Sequence, residues 1–300
     1  MGSPWRHVLS QVLEVLVPGF RGQTLRFPDL GAGSCRLKRL HLNGLCLNSH
    51  FAKQIKSRCP LLEELELRTC VHMFQEVTSC SLKRLIIDTL ANATKAPFVI
   101  TAPCLVYFQM SVSVGCYANG ISVHITDSLL KAFVHLRCYG ETFSLENQRS
   151  LLVDLRNVPD LELGGFQTKA MHIEESDKFP VFRNTHTLFL EECFLDKHDL
   201  YDTLEALGIF LQNAPCLRKL TLQGCMFEED SSMEGKFVRK SISLPHQGKK
   251  TFQCPQLKSV EVIYEVNYDS QLIELLWGIG RILPDVTVTL TNFFVDQKLK

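Results

Sequence analysis

Residues 61–70 read LLEELELRTC, and residues 216–225 read CLRKLTLQGC. Both fit one template, in which apolar residues stand first, fourth and sixth and a cysteine stands ninth. The residues concerned are Leu62, Leu65, Leu67 and Cys70 in one stretch and Leu217, Leu220, Leu222 and Cys225 in the other. The template recurs along the chain. Leu37, Leu40, Leu42 and Leu45 keep it, as do Leu82, Leu85 and Ile87; Leu105, Phe108 and Met110; Val158, Leu161 and Leu163; and Leu257, Val260 and Val262. Thr185 replaces the first leucine ahead of Leu188, Leu190 and Cys193. Val12, Val15 and Val17 make a candidate first copy, after a helix face formed by Trp5, Val8 and Leu9, and a further copy lies around Leu130 and Phe133. Successive copies start 20 to 40 residues apart.

The spacing has a physical cause. In a strand, residues two apart share a face, so the fourth and sixth positions point into a core and the residue between them points out. The first position enters the same core from the turn before the strand. One unit alone leaves its apolar face in water, whereas stacked units build a continuous core beside a parallel sheet. Cys59-Pro60, Pro103-Cys104, Pro215-Cys216 and Cys254-Pro255 stand just ahead of four copies. Helical patterns in HFAKQIKSRCP and DTLEALGIFLQNAPC run into two of these turns, where proline ends a helix and favours extended backbone. The expected fold is therefore α/β: a leucine-rich-repeat solenoid with a parallel β-sheet on its concave side and helices on its convex side.

Composition narrows the function. With 45% hydrophobic and 21% charged residues, the 300-residue chain can bury a core. Thirty-two basic residues balance thirty-two acidic ones, which removes the electrostatic footprint of a nucleic-acid or membrane-surface binder. No run of apolar residues is long enough to span a membrane, and no secretory signal is visible. The expected location is the cytoplasm, the nucleus or both, with the twelve cysteines as structural thiols. No C-x-x-C, G-x-S-x-G, P-loop or H-E-x-x-H occurs, so no catalytic residue, cofactor or metal is expected. The glycines of GAGSC, residues 31–35, read as a turn, and the sequon Asn92-Ala93-Thr94 as unused. The acidic cluster of residues 174–177 reads as a solvated loop.

Functional content concentrates on the outward strand positions, stacked at about 5 Å per rung. The expected partner-binding residues are His41, Glu66, Ile86, Tyr107, Gln109, Glu162, Phe189, Thr221 and Glu261. Tyr107 and Phe189 stand out as anchors, because aromatic side chains dominate interface energetics.

Three blocks carry a resemblance to a known family. They are SRCPLLEELELRTC; LELGGFQTKAMHIEESDKFPVFRNTHTLFLEECFL followed by LGIFLQNAPCLRKLTLQGC; and FQCPQLKSVEVIYEVNYDSQLIELLWGIGRIL. The chain resembles the plant F-box proteins with leucine-rich repeats and a terminal FBD-like segment, in particular their large grass expansion. The resemblance implies a substrate receptor of an SCF-type ubiquitin ligase, in which an F-box docks a Skp1-type adaptor and its cullin while the repeats hold an unknown target protein. No F-box precedes the repeats in these residues, so adaptor docking is expected only from an F-box outside the chain; a non-degradative scaffold or decoy, or a truncated or pseudogene product, lacking adaptor docking is the alternative. The expected organisation is a repeat array over 1–227, a flexible polar insertion over 228–250 and an FBD-like close, strand plus capping helix, over 251–300.

Overall fold

In seven of the template copies a parallel strand begins two residues after the first position. Leu37, Leu62, Leu82, Leu105, Thr185, Leu217 and Leu257 precede strands at Arg39, Glu64, Arg84, Tyr107, Thr187, Lys219 and Ser259. The computed structural model describes residues 12–16, 35–124, 127–137, 143–171, 179–193, 200–224, 254–264, 276, 279–280, 283 and 286–292. The helix face at Trp5, Val8 and Leu9, Val17, the acidic cluster at 174–177, Cys225 and the polar stretch 228–250 lie outside these residues, as does most of the expected capping helix. The chain divides into two units, Met1–Glu162 and Leu163–Lys300.

The first unit contains β1 (Val12–Leu16), β2 (Arg39–Asn43), β3 (Cys46–Leu47), α1 (Ser49–Arg58), β4 (Glu64–Arg68), β5 (Val71–His72), β6 (Glu76–Thr78) and β7 (Arg84–Asp88). There follow β8 (Ala91–Asn92), β9 (Phe98–Thr101), β10 (Tyr107–Ser113), a 3-10 turn at Val114–Tyr117, β11 (Ile121–His124), β12 (Lys131–Arg137) and α2 (Leu145–Asp154). β13 (Asp160–Gly164) leads from this unit into the next. Strands β1, β2, β4, β7, β10 and β12 pair side by side, all parallel. Their register stacks Leu40, Leu65, Leu85, Phe108 and Ala132 in one buried row and Leu42, Leu67, Ile87, Met110 and Val134 in the next. Leu37, Leu62, Leu82, Leu105 and Leu129 seal the core below them. Apart from Ala132, each such side chain contributes about 1.5–3 kcal/mol of burial, so the template positions are a major source of stability in the unit.

Two local registers differ from the sequence expectation. In β1 it is Leu13 and Val15 that align with Leu40 and Leu42, while Val12 aligns with Arg39 and is 39% exposed. In β12 the core residues are Ala132, Val134 and Leu136, preceded by Leu129, whereas Leu130 is 56% exposed and Phe133 lies on the opposite face. Both segments carry apolar residues on either face, so the hydrophobic pattern does not select a register; strand pairing does.

Helices are also fewer than expected in this unit. The links before β7, β10 and β12 hold β6, β9 and β11, which form a separate three-stranded parallel sheet in the order β11-β9-β6. A strand advances about 3.3 Å per residue against 1.5 Å in a helix, so a short link spans the unit only when extended. Phe98 and Ile100, alternating and buried in β9, supply its inward face. The shorter strands β3, β5 and β8 pair in a third parallel sheet. Where the link is longer, helices do form: the Asn48 side chain caps α1 by accepting from Phe51 N at 3.1 Å, and Ser144 caps α2 by accepting from Asn147 N at 3.1 Å.

The second unit holds α3 (Thr168–Met171), β14 (Thr187–Glu191), α4 (Leu200–Gln212), β15 (Lys219–Gln223), β16 (Ser259–Tyr264) and β17 (Thr287–Asn292). The four strands β14 to β17 pair in sequence order, all parallel. Leu188, Leu220 and Val260 share one buried row, and Leu190, Leu222 and Val262 the next. Phe210 of α4 stacks on Phe182 at 4.6 Å between ring centroids, which ties the helix to the segment leading into β14. Each unit is thus α/β with a parallel sheet.

The turns repeat as regularly as the strands. Ahead of a strand, Leu62, Leu105, Leu217 and Leu257 each donate a backbone hydrogen bond to the carbonyl three residues earlier, of Cys59, Ala102, Ala214 and Cys254. These are the Pro/Cys turns. After a strand, one residue adopts positive φ: Gly44, Thr69, Thr89, Gly165, Glu192 and Gly224. The amides of the first five donate to the next rung, at Arg68, Asp88, Ser111, Glu191 and Gln223, and so propagate the ladder through the corner. Glycine takes this conformation freely, whereas a β-branched residue is strained there. Thr89, at φ 53°, adds only an exposed hydroxyl contact to Asp88. Thr89→Gly is expected to stabilise the first unit by about 0.5–1 kcal/mol, read as a higher urea midpoint; an unchanged or lower midpoint contradicts the strain.

His72 is fully buried in β5 within an aromatic cluster formed by Phe74, Phe98 and Tyr117. Its Nδ1 donates to the Phe74 carbonyl at 2.7 Å, and its Nε2 faces the Tyr117 hydroxyl at 3.1 Å. Burial, which outweighs the Phe74 hydrogen bond, pushes His72 from 6.5 down to about 4. The unfolded chain therefore takes up this proton at higher pH than the folded one. Stability should be undiminished above pH 6.5 and should fall as pH drops from 6.5 toward 4, by on the order of 3 kcal/mol. In His72→Phe that slope should flatten, since the Tyr117 hydroxyl keeps the Leu90 carbonyl at 3.1 Å as acceptor. Urea titrations at several pH values measure both; equal slopes in the two proteins contradict the assignment.

Candidate functional site

Strand alternation leaves one face of each sheet open, and the register places its residues in rows. Across β2, β4, β7, β10 and β12 of the first unit, one row reads Arg39, Glu64, Arg84, Tyr107, Lys131. The next reads His41, Glu66, Ile86, Gln109, Phe133, and the third Asn43, Arg68, Asp88, Ser111, His135. Four of the expected partner-binding residues, His41, Glu66, Ile86 and Gln109, are thus consecutive neighbours in one row, with Tyr107 one row away. Ile86 is only 2% exposed and forms the floor of the face, not its rim. Glu162 stands half-buried at the end of this unit.

In the second unit Phe189, Thr221 and Glu261 form one row, continued by Thr289 of β17. Phe189 is half-buried, and Thr221 is 5% exposed. Glu261 accepts from Lys219 Nζ at 2.8 Å, and this contact holds its carboxyl below the usual range. Sequence reasoning missed Phe133 and His135, whose rings lie edge to face at 6.2 Å, together with Lys131 and Arg137. The alternation of Ala132, Val134 and Leu136 in KAFVHLR was the signal that places all four on the open face.

The charges of the first unit's face are arranged as a lattice. Glu64 meets Arg39 at 3.6 Å, Arg84 at 3.4 Å and His41 at 3.3 Å. Glu66 pairs with Arg68, which also reaches Asp88 at 3.4 Å, and Arg137 reaches the same Asp88 at 3.5 Å. Exposed pairs of this kind add little to stability, about 0–1 kcal/mol each, but they hold long side chains in place. The ligand atoms of His41, Glu64 and Glu66 converge within 4.8 Å, as a metal seat would require. Arginines already neutralise both carboxylates, so the chemistry of the set is that of an ion-pair network. Tyr107 is held on the face by two neighbours. The Arg84 guanidinium lies 4.0 Å above its ring centre, and its hydroxyl donates to Gln109 Oε1 at 2.9 Å.

Other candidate groups are engaged structurally. Asn92 of the sequon is buried, with Oδ1 accepting from Thr94 N and Oγ1 at 2.9 and 2.7 Å and Nδ2 donating to the Ala96 carbonyl at 2.8 Å. Cys70 and Cys193 donate to the Leu42 and Leu163 carbonyls at 3.6 and 3.4 Å, tying each turn to a strand of the preceding rung. Burial pushes the Cys70 thiol up to about 11, where it is a poor nucleophile. Among the described residues, no helix is long and apolar enough to cross a membrane.

Comparison with known proteins adds relatives. No family model matches the chain, and no solved structure matches it. The chain is 28% identical over 249 residues to the meiotic F-box protein MOF of Oryza sativa subsp. japonica; the alignment covers 76% of this chain and 50% of the rice protein. It is 24% identical over 281 residues to a probable F-box protein of Arabidopsis thaliana, covering 88% of this chain and 82% of that protein. The chain thus spans about half the length of the first of these relatives and most of the second. Over most of its length this chain is similar in sequence to plant F-box proteins.

Proposed function

We propose that the chain is a leucine-rich-repeat solenoid serving as the substrate-recognition part of an SCF-type ubiquitin ligase receptor. In this reading the open face of its parallel sheets binds a target protein, and the chain supplies affinity and positioning without chemistry of its own. An F-box would dock the Skp1-type adaptor and, through it, the cullin. The observation that supports the reading most is the in-register face of half-buried aromatic, amide and charged side chains on a sheet whose rungs repeat the template, in a chain similar to F-box proteins. Such a face, apolar at its floor and pre-ordered by ion pairs, has the anatomy of a protein interface.

The test is affinity capture from plant tissue under proteasome inhibition, with the wild-type chain beside Gln109→Arg and Phe133→Asp. The expected result is a protein captured by the wild type, lost with both variants and reduced in abundance when the chain is overexpressed. A captured protein that instead rises in abundance identifies a decoy. Capture unaffected by either substitution removes the open face from the function.

A further inference from the structure

A cavity of about 440 Å³ opens at the start of strands β2, β4 and β7, lined by Val12, Lys38, Arg39, Glu63, Glu64, Lys83 and Arg84. Its charge is uneven. Four cations face two carboxylates, and the two carboxylates are already held: Glu63 by Lys83 at 3.3 Å, and Glu64 by Arg39 and Arg84 at 3.6 and 3.4 Å. Lys38 is half-buried and has no ion-pair partner among the described residues. The cavity therefore has a surplus of two positive charges in a recess, where solvent screening is weaker than on an open surface.

The same edge of the sheet turns apolar two rungs further on. Backbone hydrogen bonds run from Glu63 to Lys38, Lys83 to Glu63, Val106 to Lys83 and Leu130 to Val106, so these residues form one continuous rim. Val106 is 38% exposed and Leu130 56% exposed. Strands lie about 4.8 Å apart, so the apolar pair is centred ~12 Å from the cavity, the length of three to four extended residues.

We infer that this rim recognises an extended segment of a partner protein carrying an acidic side chain three or four residues from a large aliphatic one. The acidic group enters the cavity against Lys38, Arg39 and Arg84, and the aliphatic group covers Val106 and Leu130. The inference rests on the proposed target-binding role and specifies the chemistry of the target. The shared requirement at the cavity is an anionic side chain, carboxylate or phosphorylated hydroxyl.

Fluorescence polarisation of labelled peptides tests it with the full chain. One peptide carries two glutamates three residues ahead of two leucines; a second replaces the glutamates by phosphoserines, a third by glutamines, and a fourth replaces the leucines by serines. Tighter binding of the glutamate or the phosphoserine peptide than of the other two supports the inference and names the source of the anion. Lys38→Glu should weaken that peptide about tenfold, and raising salt should weaken it in the wild type but little in the variant. Leu130→Asp should weaken it independently. Equal binding of the glutamine peptide, or no binding of any peptide, overturns the inference. Capture lost with Phe133→Asp would still uphold the open-face reading in that case, so the two fail separately.

Discussion

Replacing Phe98 by alanine is expected to destabilise the first unit by about 3–5 kcal/mol, the range for a fully buried aromatic residue truncated in a packed core. Phe98 is fully buried, and its ring lies 4.6 Å from His72, 5.9 Å from Tyr117 and 6.2 Å from Phe74. Removing it opens a void where β9 meets the His72 cluster. It also removes the ring contacts that Phe98 makes with His72 and Tyr117. The backbone of β9 has pairing partners on both sides, β6 and β11, so the lattice resists collapse into the void. Urea unfolding followed by circular dichroism measures the loss, with Phe98→Leu as a milder control. A loss under about 1 kcal/mol for the alanine variant would show that the cluster is not a structural centre.

Tyr107→Ala is expected to weaken target binding by about thirtyfold, roughly 2 kcal/mol, while leaving the fold intact. Tyr107 is half-buried on the open face, so its removal leaves no internal cavity. Its value for binding lies in order. Arg84 stacks on the ring and Gln109 accepts from the hydroxyl, so little side-chain freedom is lost when a partner covers it. Tyr107→Phe keeps the stacked ring and loses one hydrogen bond, so it should cost much less. Titration of the captured target against the three proteins decides the point. An alanine variant that binds as tightly as the wild type moves the anchor elsewhere on the face, to Phe133 or Phe189.

Several features were legible before any coordinates. In the clear copies the strands follow the template to the residue, because an apolar pair two apart with polar neighbours admits only one burial pattern in a strand. The helices at Ser49–Arg58 and Leu200–Gln212 lie where the apolar spacing and the following Pro turns place them. The outward positions of β2, β4, β7 and β10 were equally readable, and with them His41, Glu66, Ile86, Tyr107 and Gln109. What alternation does not convey is depth. Ile86 and Thr221 point to the open face and are nonetheless covered, since taller neighbours such as Glu66, Gln109 and Glu261 stand in adjacent rungs.

By itself, then, the sequence determined the α/β class with its parallel sheet, the core residues of the clear template copies and the placement of cysteines at the turns. These are consequences of local periodicity and short-range sterics, and each is repeated often enough to override a weak copy. The tertiary structure alone decided the registers of β1 and β12, the extended links β6, β9 and β11, the burial of His72 and the joining of Lys38, Arg39, Lys83 and Arg84 around one cavity. Those depend on which rungs become neighbours. Residues more than forty positions apart meet there, and no local pattern carries that information.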